Sequence, residues 1–167
     1  MITQEKIKEL FKYYPLTGIF IRRKNRGRFK KGELVGTFND KGYVYTMIKG
    51  KNFMLHRLAW LYVYGEMPKG EIDHINHIRT DNRIENLRVV NRQENSKNTS
   101  KRKDNTSGVT GVSFKRDRKR WEAYISIDGK KTGLGYFTRY SEAVDARKNA
   151  EVLYGYHKNH GGQNGYL

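Results

Sequence analysis

The stretch Ile72-Asp73-His74-Ile75-Asn76-His77-Ile78-Arg79-Thr80-Asp81-Asn82-Arg83-Ile84-Glu85-Asn86-Leu87-Arg88-Val89-Val90-Asn91-Arg92-Gln93-Glu94-Asn95 decides how the chain is read. Glu71–Ile75 predicts a short strand and Leu87–Val90 a second one. Between them Asn76–Asn86 is polar and loop-like. Asn91, with Glu94 three residues on, caps a helix in a variant of the capping box. The order is strand, long loop, strand, helix.

These residue types suit phosphodiester hydrolysis. Deprotonating a water near neutral pH suits a histidine such as His74. The leaving oxygen and the developing charge need a hard cation, which takes oxygen ligands. Asp73 beside His74 offers one such ligand, and a helix across the hairpin would add Asn95 as a second. Neighbours on a strand point to opposite faces, so a twist or bulge is expected to bring Asp73 and His74 together. Asn86, at the end of the loop, is placed to tie down the loop backbone with its amide. His77 beside His74 would give half a zinc site, but no cysteine or second histidine pair completes it.

Outward from this stretch, charge is unevenly spread. The chain has 167 residues, 34 Lys and Arg against 17 Asp and Glu, and a net charge of +17. Residues 1–55 carry +9, residues 56–95 balance to zero and residues 96–167 carry +8. Two basic arms flank a neutral middle, and the middle holds the residues that look chemical. Such an excess implies a polyanionic partner. No segment places Lys and Arg on one helical face and large apolar residues on the other, which disfavours a membrane surface and favours nucleic acid. The longest apolar run, Leu58–Tyr64, is too short to span a bilayer. No signal-peptide pattern opens the chain, so a cytoplasmic location is expected. Cysteine is absent, which excludes disulfides, thiolate zinc sites and cysteine nucleophiles. With 36% hydrophobic residues and 12 Tyr, the cores are expected to be small and aromatic.

Upstream, Thr3–Tyr14 predicts a helix with Ile7, Leu10, Phe11 and Tyr14 on one face, capped by Thr3 and ended by Pro15. Gly18–Ile21 leads into a basic loop, where Arg22, Arg23, Lys24, Arg26, Arg28, Lys30 and Lys31 are candidate phosphate contacts. Tyr43–Ile48 and Asn52–Leu55 predict a hairpin around Gly50, and residues 56–64 a buried helix stopped by Gly65, with Trp60 and Tyr62 in the core. His56 is expected either to touch the scissile phosphate or to cap a buried turn. Arg83 and Arg88 are expected either to contact DNA or to pair with Asp81 or Glu85. Downstream, Ser96–Ser107 has no aliphatic or aromatic residue and reads as a solvated linker. Val109–Phe114, Trp121–Ile127 and Lys131–Phe137 predict three strands, with Asp128-Gly129 as a tight hairpin turn. Ser141–Tyr154 predicts a helix, capped by Ser141 and closed by Gly155, whose Ala143, Ala146 and Ala150 let it lie close on the sheet. His157 and His160 fall in a Gly- and Asn-rich tail.

The run Asp73–Asn95 closely resembles the HNH endonuclease family, in particular its phage and intron-encoded homing branch. The resemblance implies an α+β fold with a ββα-metal core of hairpin plus helix. It matches His74 to the general base, Asp73 to the neighbouring metal ligand and Asn86 to the asparagine that holds the loop and orients the base. Asn95 stands where the family's last His usually sits; some homing members also have Asn there. Tyr14-Pro15-Leu16-Thr17-Gly18 and His56-Arg57-Leu58-Ala59-Trp60 also resemble segments preceding the motif, so the likeness covers residues 1–98. The second module resembles the Apetala-type ethylene-response-factor DNA-binding domain in Gly111-Val112, Trp121-x-Ala123-x-Ile125, Leu134-Gly135-x-Phe137 and the Ala-rich helix ending Leu153-Tyr154-Gly155. That domain lays a three-stranded sheet in the major groove. Thr110 and Ser113 replace the arginines its plant members carry beside the Gly-Val pair, so their base preference does not carry over. Lys115, Arg116, Arg118, Arg120 and Lys131 are candidate DNA contacts, and Trp121 is a contact or core.

Together these readings predict an N-terminal β region with an HNH core at 1–98, a linker at 99–107, an Apetala-like domain at 108–160 and a tail at 161–167. The expected function is site-specific cleavage of double-stranded DNA, dependent on Mg²⁺ or Mn²⁺, by a monomer or weak dimer with no evident protein partner. A non-catalytic DNA-binding regulator and an RNA-binding protein are the alternatives.

Overall fold

The computed structural model describes residues 2–162, so residues 163–167 of the expected tail lie outside the described residues. The chain divides after Asn91 into two compact units, each with small antiparallel sheets and few helices.

In the first unit α1 (Gln4–Leu10) is capped by Thr3, whose hydroxyl accepts from Lys6 N, and buries Ile7. The helix is shorter than its spacing predicts. Phe11–Tyr14 leaves it as β1, antiparallel to β2 (Ile19–Arg22). Phe11 and Tyr13 are buried while Lys12 and Tyr14 are exposed, so the two-residue alternation prevails over the helical one. The Pro15–Gly18 turn joins the strands, with Gly18 N donating to Tyr14 O at 2.8 Å.

β3 (Thr37–Phe38), β4 (Val44–Ile48) and β5 (Lys51–Met54) form a three-stranded sheet. The β4–β5 turn uses Lys49 and Gly50, both with positive φ, the backbone twist a two-residue hairpin favours. α2 (Leu55–Tyr64) buries Leu55, Leu58, Ala59 and Leu61 and ends at Gly65 in the left-handed conformation. It joins Ile7, Phe11, Tyr13, Phe20 and Leu87 in one core, with Trp60 and Tyr62 packed partly buried against it. Fully burying a side chain such as Phe20 contributes about 1.5–3 kcal/mol. Arg57 on α2 donates to Pro68 O at 2.8 Å and Gly70 O at 3.2 Å, fixing the turn that launches β6. β6 (Glu71–His74) pairs antiparallel with β7 (Leu87–Val90), from Glu71↔Val90 to His74↔Leu87, without a register shift.

The second unit opens with α3 (Arg92–Ser96), followed by β8 (Val112–Lys115), β9 (Arg120–Ile127) and β10 (Lys130–Phe137), in sheet order β8-β9-β10. Asp128 and Gly129 form the β9–β10 turn with positive φ at both. α4 (Tyr140–Leu153) lies on the sheet with Ala143 packed against Val112 and Ala123. Its N-cap is Arg139, not Ser141, and Arg139 N donates to the Glu142 carboxylate at 3.2 Å.

Residues 99–107, expected as a solvated linker, are exposed or half-buried and are tied down by hydrogen bonds. Lys101 N donates to Gly162 O and Thr99 O accepts from Gly161 N. Ser107 Oγ donates to Val112 O, and Ser107 O accepts from Tyr140 OH. A polar stretch with nothing to bury is held here by backbone hydrogen bonds, which leave no hydropathy signature. His160, expected in a tail, is buried; Arg147, itself buried, reaches it at 3.0 Å and also donates to Glu151 and Tyr124 O. Among the described residues no helix is long and apolar enough to cross a membrane.

Candidate functional site

His74 is the last residue of β6 and is buried. The chain turns directly after it, with His77 N donating to His74 O at 2.9 Å and His77 in the left-handed region at φ 64°. The His74 ring meets His56 edge to face at 5.2 Å between centroids, and Tyr43 packs on both imidazoles. Asn82 Oδ1 lies 3.3 Å from His74 Nε2. Burial lowers the His74 pKa, opposed by the Asn82 hydrogen bond and by the charges of Asp73 and Asp81. The ring is therefore neutral at physiological pH, the state in which an imidazole accepts a proton. Burial, then the neighbouring His74 and Arg57, pushes His56 down to about 3. Its Nδ1 is buried without a hydrogen-bond partner among the described residues.

Asp73 faces Arg88 directly across the hairpin, and its Oδ2 accepts from Arg88 Nη2 at 2.7 Å and Nε at 2.9 Å. Of the twist or bulge expected here, no bulge is present, and the ladder is regular through His74. Arg88 thus pairs with Asp73 and not with Asp81 or Glu85. Arg83 takes those two partners, at 2.8 Å and 2.9 Å.

Asn86 is buried at the end of a short 3₁₀ turn. Its Oδ1 accepts from Asn76 N at 3.0 Å, and its Nδ2 donates to Asn76 Oδ1 and Asp81 O, both at 2.9 Å. These bonds close the loop on itself. Asn82 is a hydrogen-bond partner of the His74 ring, and sequence reasoning gave it no role. The run of amides at 76, 82, 86 and 95 left no basis for assigning which one meets the ring. The first unit gathers His74, Asp73, Asn82, Asn86 and His56, whereas Asn95 is carried by α3 in the second.

The donors proposed for a metal, Asp73 and Asn95, are all oxygen. That fits a hard divalent cation, which commonly takes one or two protein ligands and completes its shell with water and phosphate. Among the described residues no three His, Asp or Glu side chains are grouped as a denser metal site.

The basic loop is exposed from Arg23 through Lys31. Lys24 pairs with Glu9 at 2.9 Å, and Arg23 donates to Lys8 O at 2.9 Å. Arg28 lies over Phe29; Arg26 bridges to Phe29 through the backbone; Lys30 and Lys31 extend the exposed run. Arg22 differs from the expectation of a phosphate arm. It is buried on β2 with its guanidinium 4.0 Å from the Phe29 ring, because strand alternation turns it inward.

In the second unit Lys115 and Lys131 flank Glu122 at 3.3 Å and 3.2 Å. Arg118 stacks on Tyr136 at 4.5 Å, and Arg116 and Arg120 are exposed. Trp121 packs on Phe114 at 5.2 Å and Tyr140 at 4.7 Å, partly buried against the α4 core.

A hairpin bearing a buried His next to Asp, with its loop locked by an asparagine, now stands beside what the chain resembles. Residues 53–97 match the HNH endonuclease family. An HNH domain therefore occupies this stretch, from β5 through α2 and the β6–β7 hairpin to α3. Protein 3.8 of Escherichia phage T7 is 37% identical over 76 residues, covering 45% of this chain and 63% of that protein. The chain thus matches less than two thirds of that relative's length. No solved structure matches.

Proposed function

We propose that the chain is a site-specific DNA endonuclease of the homing type, built around a ββα-metal core, that hydrolyses a phosphodiester bond. The observation that carries this is the buried His74, beside Asp73 at the end of β6 and followed by a loop closed by Asn86, inside the HNH-matched segment. Neutral His74 takes a proton from the attacking water. Asn86 keeps the loop closed beneath it. Asp73 and Asn95 would hold Mg²⁺ or Mn²⁺, which supplies charge stabilisation at the phosphate and the leaving oxygen. The exposed Arg23–Lys31 loop and the β8–β10 sheet, with Lys115, Arg116, Arg118, Arg120 and Lys131, grip the double helix through its phosphates. The three-stranded sheet carrying one packed helix supports the Apetala-like reading of the second unit. One site per chain nicks one strand, and a double-strand break needs two sites.

The test is supercoiled plasmid at low salt with Mg²⁺, Mn²⁺ or EDTA, using the wild type and His74→Ala. Metal-dependent nicking that His74→Ala lacks, with DNA binding retained, is expected. Equal cutting by His74→Ala would remove His74 as the base. A preference for structured RNA over duplex DNA in competition would overturn the DNA substrate.

A further inference from the structure

We infer that a C-terminal strap, residues 154–162, positions Asn95 by holding the chain where it leaves α3, with Arg147 and His160 as the strap's anchor. The second unit then contributes to cleavage beyond its grip on DNA. The inference rests on the reading of Asn95 as a metal ligand. Every residue it uses lies within that unit, Arg92–Asn164.

α3 cannot hold itself. It has five residues, Arg92–Ser96, and a lone helix that short does not persist in water. Its sequence, Arg-Gln-Glu-Asn-Ser, has no apolar side chain to bury. Polar contacts must fix it. Its last turn runs on into the next residues. Lys97 N donates to Glu94 O at 3.0 Å and Asn98 N to Asn95 O at 3.1 Å, and Thr99 Oγ1 donates to Ser96 O at 2.9 Å. The strap takes hold of this same turn. Lys97 O accepts from His157 N at 3.1 Å, and Lys97 Nζ donates to Tyr154 O at 2.8 Å. Further on, Thr99 O accepts from Gly161 N at 2.9 Å and Lys101 N donates to Gly162 O at 3.0 Å. These four bonds join the two segments, and the nearest falls two residues from Asn95. Asn98, between the bonded residues, is 3% exposed.

The strap is tied to the rest of its unit through a buried side chain. His160 is 7% exposed and Arg147 2%. Arg147 donates through Nη2 to His160 Nε2 at 3.0 Å, through Nη1 to Tyr124 O at 2.8 Å and through Nε to Glu151 Oε1 at 3.0 Å. Arginine only donates, so His160 serves here as an acceptor. One guanidinium thus joins α4, β9 and the strap. A module gains little stability from burying an ion pair. What this arrangement supplies is one seat for the strap, and through it one course for residues 97–101.

The experiment uses the full chain with His160→Ala and Lys97→Met. Amide hydrogen exchange reads the strap without metal or DNA. In His160→Ala the amides of His157, Gly161 and Asn98 should exchange severalfold faster, while those of the β9–β10 ladder keep their wild-type rates. The same variant should weaken Tb³⁺ binding, read by luminescence, by roughly 10-fold, the lower end for a lost outer-shell partner. Asn95→Ala should also weaken it, and His160→Ala added to Asn95→Ala should cost nothing more. Lys97→Met removes one bond and keeps most of the stem. It should shift the same amides and the same affinity by less, and it reads the strap even if His160→Ala loses the ladder protection. Unchanged exchange at Asn98, unchanged Tb³⁺ affinity in His160→Ala, or a full further loss on the Asn95→Ala background would overturn the inference. Failure of the ligand reading is a different result, Tb³⁺ affinity unchanged in Asn95→Ala, and takes the inference with it. Failure of the nuclease reading shows separately, as undiminished cutting by His74→Ala.

Discussion

Replacing Gly18 by Ala tests how tightly the β1–β2 turn packs on the loop at Asn82 and Arg83. Gly18 has φ +73°, and the added methyl would meet two backbone atoms within 2.6 Å, with Asn82 N also at 3.0 Å. Backbone cannot swing aside as the end of a flexible side chain can. A left-handed alanine costs about 1–2 kcal/mol. Forcing a methyl into filled space adds about 1–3 kcal/mol. The total, about 2–5 kcal/mol, is a large part of the roughly 5–15 kcal/mol that typically holds a domain together. For a unit of this size it lowers the midpoint of thermal unfolding by about 10 °C or more. Gly42→Ala is the internal control. Its φ is +78°, but nothing lies within 4 Å of the added atom, so it carries the conformational cost alone. Circular dichroism melts give both midpoints, and plasmid nicking well below the lower one gives activity. Gly18→Ala should melt distinctly lower than Gly42→Ala and should cut poorly even where it is folded, because residues 82 and 83 must move. Equal midpoints for the two variants, or normal cutting by Gly18→Ala, would refute this packing argument.

Arg88→Gln should tighten divalent metal binding severalfold, because Arg88 holds a positive charge against the Asp73 carboxylate. A Tb³⁺ luminescence titration checks this, and weaker binding would show that Arg88 helps to shape the site instead. Below pH 6.5 the chain should lose stability steadily towards pH 4. Burial, then Arg147, pushes the His160 pKa down from 6.5 to about 4, so across that window the unfolded chain binds the proton that the folded chain refuses. Urea midpoints measured against pH should flatten in His160→Gln, and an unchanged pH slope would refute the role of His160.

Much of the fold was legible where one period dominates. α2 has its apolar face and its Gly65 stop, and the Lys49-Gly50 and Asp128-Gly129 turns sit between clear strands. Phe11–Tyr14 was misread because four aromatic and basic residues satisfy a helical face and an alternating strand equally well. Pairing with Ile19–Arg22 decided it, and that is a tertiary contact. The hydrogen bonds that hold residues 99–107 were not legible for a related reason. Their bonds to residues 161 and 162 use backbone groups that every sequence shares. His160 and Arg147 are individually unremarkable polar residues, and their mutual burial appears only when α4 lies on the sheet.

The site divides along the same line. His74, Asp73 and Asn86, to which the proposed reaction gives roles, stood out in the sequence by their chemical types and by their likeness to the HNH motif. Asn82 and Gly18 did not, because their importance lies in what they touch. The charge balance of residues 56–95 acquires a physical meaning in the structure. Asp73 is matched by Arg88, and Asp81 and Glu85 are matched by Arg83. Charges paired in this way contribute little long-range attraction for a phosphate. Affinity for a polyanion must then come from the exposed cations of the arms, whose phosphate contacts are weakened by salt. The buried site, with a neutral imidazole and paired carboxylates, is much less exposed to screening. Raising the salt concentration should therefore weaken DNA binding more than it slows the chemical step on DNA already bound.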